Sequence, residues 1–401
     1  MKDLKHIYYF EKLLEDVNND LVREAQSRGE IAIGSVCSLM PEVLLNLPGT
    51  FAVRLRAPRT GSIEMGTYYM TSLLCEGCRA YLERALEGGY EFLDCILAPD
   101  ACAQMNRCVE NIERQNLCSK DHFFVTYADV PMKSDETALK HYVRQMRIRV
   151  LAPLHEKFGI DVSDDALRRA VEEQNRINRL ITAIGEFRKA DNPTVTGYEF
   201  AVLCLATFCC PHQPLIEKLE ETLEEIKGRQ PDPEPSYRVR VVLAGSEIDD
   251  PALIKLAEEA GAYVAADRFC FGSFPDRQPL ILDESEDAED VLTQICRHYM
   301  EQGQCPRYMN TDKIRERKDY VDRLAKEFNA DGIIYQYMKF CDYWGYEQAA
   351  ATHIMRKDYG YPVLSIDHPY VVGSSGQLRT RIQAFVESIE IKKIQKGADH
   401  E

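Results

Sequence analysis

The chain has 401 residues, of which 45% are hydrophobic and 28% charged, and its formal net charge is −16. This length is enough for two or more lobes with their own cores, and the acidity argues against wholesale binding to nucleic acid or to an anionic membrane surface. No apolar run reaches the 18 residues of a membrane span, and the first residues, MKDLKHIY, lack the apolar core of a signal peptide, so we expect a cytoplasmic protein with few disulfides.

The first third of the sequence alternates between helical and strand-like segments. Helical spacing is found at residues 7–27, 41–47, 71–86 and 103–116. Apolar, strand-like runs are found at residues 30–34, 51–55, 92–98 and 122–127. Strands that alternate with helices predict a parallel α/β sheet.

The middle of the chain is helical and charged, and the last third returns to alternation. The proline-rich run at 230–236 predicts an exposed linker. After it, strand-like runs at 237–244, 262–266, 332–337 and 362–366 alternate with helical segments. We therefore predict an α/β fold with two Rossmann-like, flavodoxin-like lobes at 1–134 and 237–401, joined by a helical bridge and linker at 135–236.

Four of the 14 cysteines lie just past the end of a strand-like run. They are Cys37, Cys102, Cys270 and Cys341. Ligands of open α/β sheets bind at the carboxyl ends of the strands, and thiolates suit zinc and iron–sulfur clusters. The pattern indicates a shared soft-metal site, although any single cysteine is often only part of a core.

The pair Cys75-x-x-Cys78 leaves several interpretations open. A zinc knuckle needs a second such pair, which the sequence lacks. A thioredoxin-like redox pair needs the motif at the start of a helix, whereas the helical spacing predicts both thiols within a helix at 71–86. The sequence also has no P-loop and no Gly-x-Gly-x-x-Gly after a strand, so nucleotide hydrolysis and a dinucleotide site are unsupported.

Four ordered segments resemble the 2-hydroxyacyl-CoA dehydratase D-component family, which also contains benzoyl-CoA reductase subunits. They are IGSVCSLMPE at 33–42, LEGGYE at 86–91 followed by Cys102, ADGIIYQYMKFCD at 330–342, and GQLRTRIQAF at 376–385. The resemblance covers nearly the whole chain and implies two α/β lobes with an oxygen-sensitive [4Fe-4S] cluster between them. By position, the ligands it implies are Cys75, Cys102 and Cys341.

The resemblance also implies a reaction and partners. The chain would be a subunit of a lyase that removes water from a 2-hydroxyacyl-CoA through a ketyl radical. The electron would come from an ATP-hydrolysing activator protein, and the chain would pair with a paralogous subunit or a second copy. An electron-relay subunit that binds no substrate is an alternative.

Additional thiols leave open the alternative of a larger cluster. Some relatives carry a double-cubane [8Fe-9S] cluster held by about twice as many cysteines, and Cys37, Cys78 and Cys270 are candidate extra ligands that would favour a reductase. Cys108 and Cys305 are further extra thiols.

Polar residues near the expected site add two further predictions. Ser35 and Ser38 follow the first strand and either cap a helix or orient substrate or water at the open iron. Arg379 and Arg381, beside the loop Gly373-Ser-Ser-Gly376, either pair with acids or contact a CoA phosphate.

Overall fold

The computed structural model describes residues 1–270, 272, 277–370 and 376–398. Its strands are β1 (Ile31–Ser35), β2 (Thr50–Arg54), β3 (Cys95–Asp100), β4 (Phe124–Asp129), β5 (Val239–Gly245), β6 (Ala262–Arg268), β7 (Gly332–Met338) and β8 (Val363–His368). Its α-helices are α1 (Ile7–Leu14), α2 (Asp20–Ser27), α3 (Glu64–Met70), α4 (Glu76–Leu86), α5 (Ala103–Arg114), α6 (Glu136–Met146), α7 (Ala152–Phe158), α8 (Asp164–Glu186), α9 (Gly197–Cys209), α10 (His212–Gly228), α11 (Ala252–Glu259), α12 (Val291–Glu301), α13 (Thr311–Glu327), α14 (Asp342–Lys357) and α15 (Gly376–Ala398).

The strands form two four-stranded sheets with the same strand order. The orders are β2-β1-β3-β4 and β6-β5-β7-β8, and every neighbouring pair is parallel. All residues of β2, β5 and β6 are buried, as expected for parallel strands that helices cover on both faces. The prediction of an α/β protein with two Rossmann-like parallel-sheet lobes is confirmed.

Three helical predictions are wrong in their bounds. The helix predicted at 7–27 is two helices, because the Asn19 side chain accepts hydrogen bonds from the backbone N–H groups of Leu21 and Val22 and so begins α2. The helix predicted at 71–86 begins only at Glu76, because Thr71, whose φ of 69° is not helical, ends the preceding helix α3. Residues 41–47 contain only a short 3₁₀-helix at Glu42–Leu45.

The middle of the chain is helical, as predicted. It contains α6 to α10, with one π-helical turn at Arg147–Leu151 between α6 and α7. The Ser163 hydroxyl accepts a hydrogen bond from the backbone N–H of Ala166 and caps α8, which places two acids in the favourable first turn. The lobe boundaries given above stay predictions, with one sheet inside 1–134 and the other inside 237–401.

Helix length and polarity bear on the question of a membrane span. Within the described ranges, every helix is either too short or too polar to traverse a bilayer.

Candidate metal centre

A cavity of about 110 Å³ lies at the carboxyl ends of strands from both sheets. We call it the thiol cavity, because its walls include seven cysteines: Cys37, Cys75, Cys78, Cys102, Cys270, Cys305 and Cys341. Most of its remaining wall is apolar or aromatic, for example Met105, Met338 and Trp344. Folding thus gathers thiols that are widely separated in the sequence.

The three cysteines that the family resemblance implies as ligands share one structural position. Cys75, Cys102 and Cys341 are the N-cap residues of α4, α5 and α14. Backbone N–H groups of the first helical turn donate hydrogen bonds to each thiol, and these bonds act to lower its pKa. A helix N-terminus favours negative charge, so this position favours the thiolate that binds a metal.

Neighbouring thiols set the protonation of this group in the metal-free chain. Hydrogen bonding from Cys341 and then from Cys78 lowers the pKa of Cys75, and hydrogen bonding from Cys78 lowers the pKa of Cys102. Hydrogen bonding to Cys75 raises the pKa of Cys341, and hydrogen bonding to Cys102 and then to Cys75 raises the pKa of Cys78. Cys78 lies in the first turn of α4, and its sulfur connects those of Cys75 and Cys102.

A second group of thiols faces the same cavity. Cys37 follows β1 and Cys270 follows β6, whereas Cys305 lies between α12 and α13. Burial raises the pKa of all three thiols, that of Cys37 to about 12. The negative charge of at least one other cysteine of the cavity raises each of these pKa values further. We call them the second thiol group and the three N-cap cysteines the first.

Polar contacts tie the two lobes together beside the first thiol group. The Gln104 side chain accepts a hydrogen bond from the backbone N–H of Cys75 (2.5 Å) and donates to the Phe340 carbonyl (3.1 Å) and the Asp342 carboxylate (2.8 Å). The backbone N–H of Glu76 donates to the Lys339 carbonyl at 3.2 Å. These bonds fix the Cys75 loop against the loop that carries Cys341.

A buried ion triad supports the segment that carries Cys305. Glu347 on α14 accepts hydrogen bonds from Arg317 (3.0 and 2.9 Å) and Lys318 (2.6 Å) on α13. Arg317 also donates to the carbonyls of Tyr308 (2.7 Å) and Cys305 (3.5 Å). The triad therefore links the helix that begins after Cys341 to the Cys305 loop.

A carboxyl group also lines the thiol cavity. Glu247 follows β5 and accepts a hydrogen bond from the Tyr81 hydroxyl at 2.8 Å. Burial raises the pKa of Glu247 to about 8, despite the opposing charge of Arg54.

The other predicted site residues lie elsewhere. Ser35 and Ser38 line a small neighbouring cavity of about 20 Å³, which meets the thiol cavity at Cys37. Arg379 and Arg381 lie on α15, where Arg379 contacts Glu259 (3.4 Å) and Arg381 donates to the Ser365 carbonyl (2.6 Å). Residues 373–375 of the predicted anion-binding loop lie outside the described residues.

The donor set fits an iron–sulfur cluster better than a single ion. Soft thiolates in a largely apolar cavity are the ligands that such clusters use. Among the residues that the structure describes, no three or more His, Cys, Asp or Glu side chains are spaced to hold one metal ion. A cluster is wider than an ion, and its cysteines bind different iron atoms, so a looser ring of thiols suits it.

Sequence reasoning missed several of these features. Cys305 follows no strand, and the sequence marks it only as an additional thiol. Gln104 and Glu247 carry no motif, although both lie one or two residues beyond a position where a strand ends or a helix begins. The prediction that Cys75 lies within a helix is wrong, because the chain turns at Thr71 and α4 begins only at Glu76.

Comparison with known proteins gives one family match and several distant relatives. The family model described as "2-hydroxyglutaryl-CoA dehydratase, D-component" matches residues 37–389. The (R)-phenyllactyl-CoA dehydratase beta subunit of Clostridium sporogenes is 24% identical, covering 95% of this chain and 97% of its own. The (R)-2-hydroxyglutaryl-CoA dehydratase subunit beta of Acidaminococcus fermentans is 23% identical (92% and 95%), and a benzoyl-CoA reductase subunit of Thauera aromatica is 20% identical (95% and 97%).

Proposed function

Because this chain belongs to the 2-hydroxyglutaryl-CoA dehydratase D-component family, we propose that its thiol cavity binds an iron–sulfur cluster and that it works as a redox subunit. The geometry favours a cluster of the double-cubane kind, and hence a reductase. Bound there, such a cluster would pass electrons one at a time to a substrate.

The second thiol group carries this proposal. A single [4Fe-4S] cluster uses at most four cysteines, which the N-cap cysteines and Cys78 supply by themselves. Cys37, Cys270 and Cys305 would then be left without a role on the wall of the same cavity. Two groups of three thiols match the ligands that two joined cubanes need.

The residues of the chain have distinct tasks in this arrangement. The N-termini of α4, α5 and α14 stabilise thiolate charge at the first thiol group. Met105, Met338 and Trp344 keep water from much of the cavity wall. A dry, low-dielectric wall strengthens every electrostatic interaction inside the site.

A second candidate is a hydro-lyase subunit that removes water from a 2-hydroxyacyl-CoA. Two of the relatives are named as dehydratase beta subunits, which supports this reaction for the chain. A single [4Fe-4S] cluster on Cys75, Cys102 and Cys341 would leave one iron without a cysteine. An open position is what a metal needs to act as a Lewis acid on substrate.

Both candidates share their expected surroundings. We propose a cytoplasmic, oxygen-sensitive protein that pairs with a paralogous subunit or a second copy. An ATP-hydrolysing activator protein would supply its electrons, in keeping with a sequence that has no P-loop.

Iron counting separates the candidates. Protein purified without oxygen should be brown and hold about eight irons per chain for a double cubane, or about four for a single cubane. Cys305→Ser should lower the count by half or more in the first case and leave it unchanged in the second. Cys296→Ser is the matched control, because Cys296 is buried on α12 away from the cavity. Colourless, iron-free protein that cannot be reconstituted would exclude both candidates.

Ligand binding separates the roles of the subunit. Iron-loaded chain that binds a 2-hydroxyacyl-CoA and releases the unsaturated product with its activator and partner would establish the dehydratase. Loaded chain that exchanges electrons with the activator yet binds no acyl-CoA would be the electron-relay subunit.

A further inference from the structure

A second cavity, of about 260 Å³, lies at the carboxyl end of β6 beside α8 and α13. Its wall contains three arginines, Arg188, Arg277 and Arg323, and it shares no residue with the wall of the thiol cavity. Aromatic rings complete the wall, namely Phe200, Tyr320 and Phe328. We call it the arginine pocket.

Arg188 is a buried cation whose hydrogen bonding is incomplete. Its side chain is 4% exposed, and its Nη1 donates to the Asp267 carboxylate at 3.0 Å. Its guanidinium lies 3.5 Å from the centre of the Phe200 ring. Its Nε finds no hydrogen-bond acceptor among the residues that the structure describes.

Arg277 is buried among neutral groups. Its residue is 7% exposed, and its terminal nitrogens contact Thr207 Oγ1 (3.1 Å), Cys204 Sγ (3.3 Å) and Asn178 Oδ1 (3.5 Å). Within the described ranges, no carboxylate lies within salt-bridge distance of it, and its Nε has no acceptor. None of these contacts therefore neutralises the positive charge of Arg277.

The charges around the pocket favour an anion. Its buried described charges are the two guanidinium groups and the Asp267 carboxylate, which leaves one positive charge in excess. The acids at the rim, Glu186 and Glu327, are about half exposed and contact Lys189 at 2.8 and 3.9 Å. A buried charge without a partner is costly, and planar guanidinium groups fit phosphate oxygens especially well.

We propose that the arginine pocket binds a phosphate group of a phosphate-ester ligand, with Arg188 and Arg277 as its buried donors. The aromatic walls suit the rest of such a ligand, because the rings of Phe200, Tyr320 and Phe328 offer stacking or apolar contact. This site is independent of the cluster, since its described wall contains no cysteine and lies outside the thiol cavity.

Calorimetric titration of the full chain with CoA, dephospho-CoA and inorganic phosphate tests the site. Arg277→Gln should weaken the binding of the phosphate ligand at least tenfold. Thr182→Glu should do the same, because Thr182 is an exposed wall residue of α8 and the new carboxylate would take the place of the anion. Thr182→Gln, of the same size without the charge, and Arg238→Gln, which breaks an exposed pair with Glu390, should bind as the wild type does.

The three probes identify the source of the phosphate. If CoA binds and dephospho-CoA binds at least tenfold more weakly, the pocket recognises the 3′-phosphate of CoA. If both bind equally, it recognises the diphosphate. If only inorganic phosphate binds, the ligand is the free ion. The first two outcomes support the proposal if Thr182→Glu abolishes the binding, whereas binding of inorganic phosphate alone would overturn the assignment of a phosphate ester. Absence of binding by all three probes to the wild type, or equal affinity in Thr182→Glu and Thr182→Gln, would overturn the proposal. Thr182→Glu keeps the test decisive even where Arg277→Gln fails to fold.

Discussion

Replacing Glu347 with glutamine should cost the protein a large part of its stability. The side chains of Glu347, Arg317 and Lys318 are 5%, 2% and 1% exposed, so water does not screen the triad. The amide is neutral and has one acceptor oxygen, which leaves two buried cations without a counter-charge. Removing one member of a buried ion pair typically costs about 3–5 kcal/mol, so we expect the free energy of unfolding to fall by about that amount.

Urea unfolding of the iron-free, reduced chain measures the effect. Glu390→Gln is the matched control, because its bond to Arg238 (2.9 Å) lies between side chains that are 31% and 44% exposed. Solvent screens an exposed pair, so the control should change the free energy of unfolding little. Equal losses in the two variants, or a loss below about 1 kcal/mol in Glu347→Gln, would refute the view that the triad is a buried support of the Cys305 loop.

Three further predictions follow from contacts in and around the lobes. Gln104→Ala should halve or further reduce iron retention in anaerobic gel filtration, since it frees the Cys75 loop from the opposite lobe, and undiminished retention would show that this bridge is dispensable. Burial raises the pKa of Glu258 from 4.5 to about 7, so the folded chain keeps a proton that the unfolded chain loses. The free energy of unfolding should therefore fall, by at most about 3 kcal/mol, as the pH rises from 4.5 to 7, and Glu258→Gln should flatten this fall in urea unfolding at several pH values. Gly245→Ala should destabilise the chain by at least about 1–3 kcal/mol, because φ is 147° and a Cβ would lie 1.8 Å from the Gln336 carbonyl oxygen; an unchanged melting temperature would contradict this.

The strands were predictable because their signal is local. Each of the eight apolar runs read from the sequence became a strand, with ends shifted by a few residues. Alternation with helices then determined that neighbouring strands are parallel. The ends of helices were less predictable, because single backbone positions decide them. The side-chain cap at Asn19 divides a continuous helical pattern, and Thr71, with its positive φ, lies where the predicted helix was to begin.

From local patterns, the candidate site was predictable only where it follows strand ends, whereas Cys75 and Cys78 came from the family resemblance. The carboxyl edge of a sheet carries four of its cysteines, namely Cys37, Cys102, Cys270 and Cys341. Because ligands of open α/β sheets bind at this edge, the sequence alone predicted that these thiols share a site. Cys305 reaches the same cavity from a long connection, and its position depends on a distant ion triad. No local pattern encodes such a contact. The same holds for the buried arginines of the second cavity.

The two sheets share one strand order, so equivalent positions can be identified in the two halves. Cys102 and Cys341 occupy equivalent places in the two halves, each at the start of the helix that follows the third strand of its sheet. Neither half holds a full ligand set, since four of the seven cavity cysteines come from the first and three from the second. If the thiol cavity holds the proposed cluster, binding of the metal would add a cross-link between the two halves and would stabilise their contact. In that case, oxygen that destroys the cluster would remove this cross-link together with the proposed electron carrier.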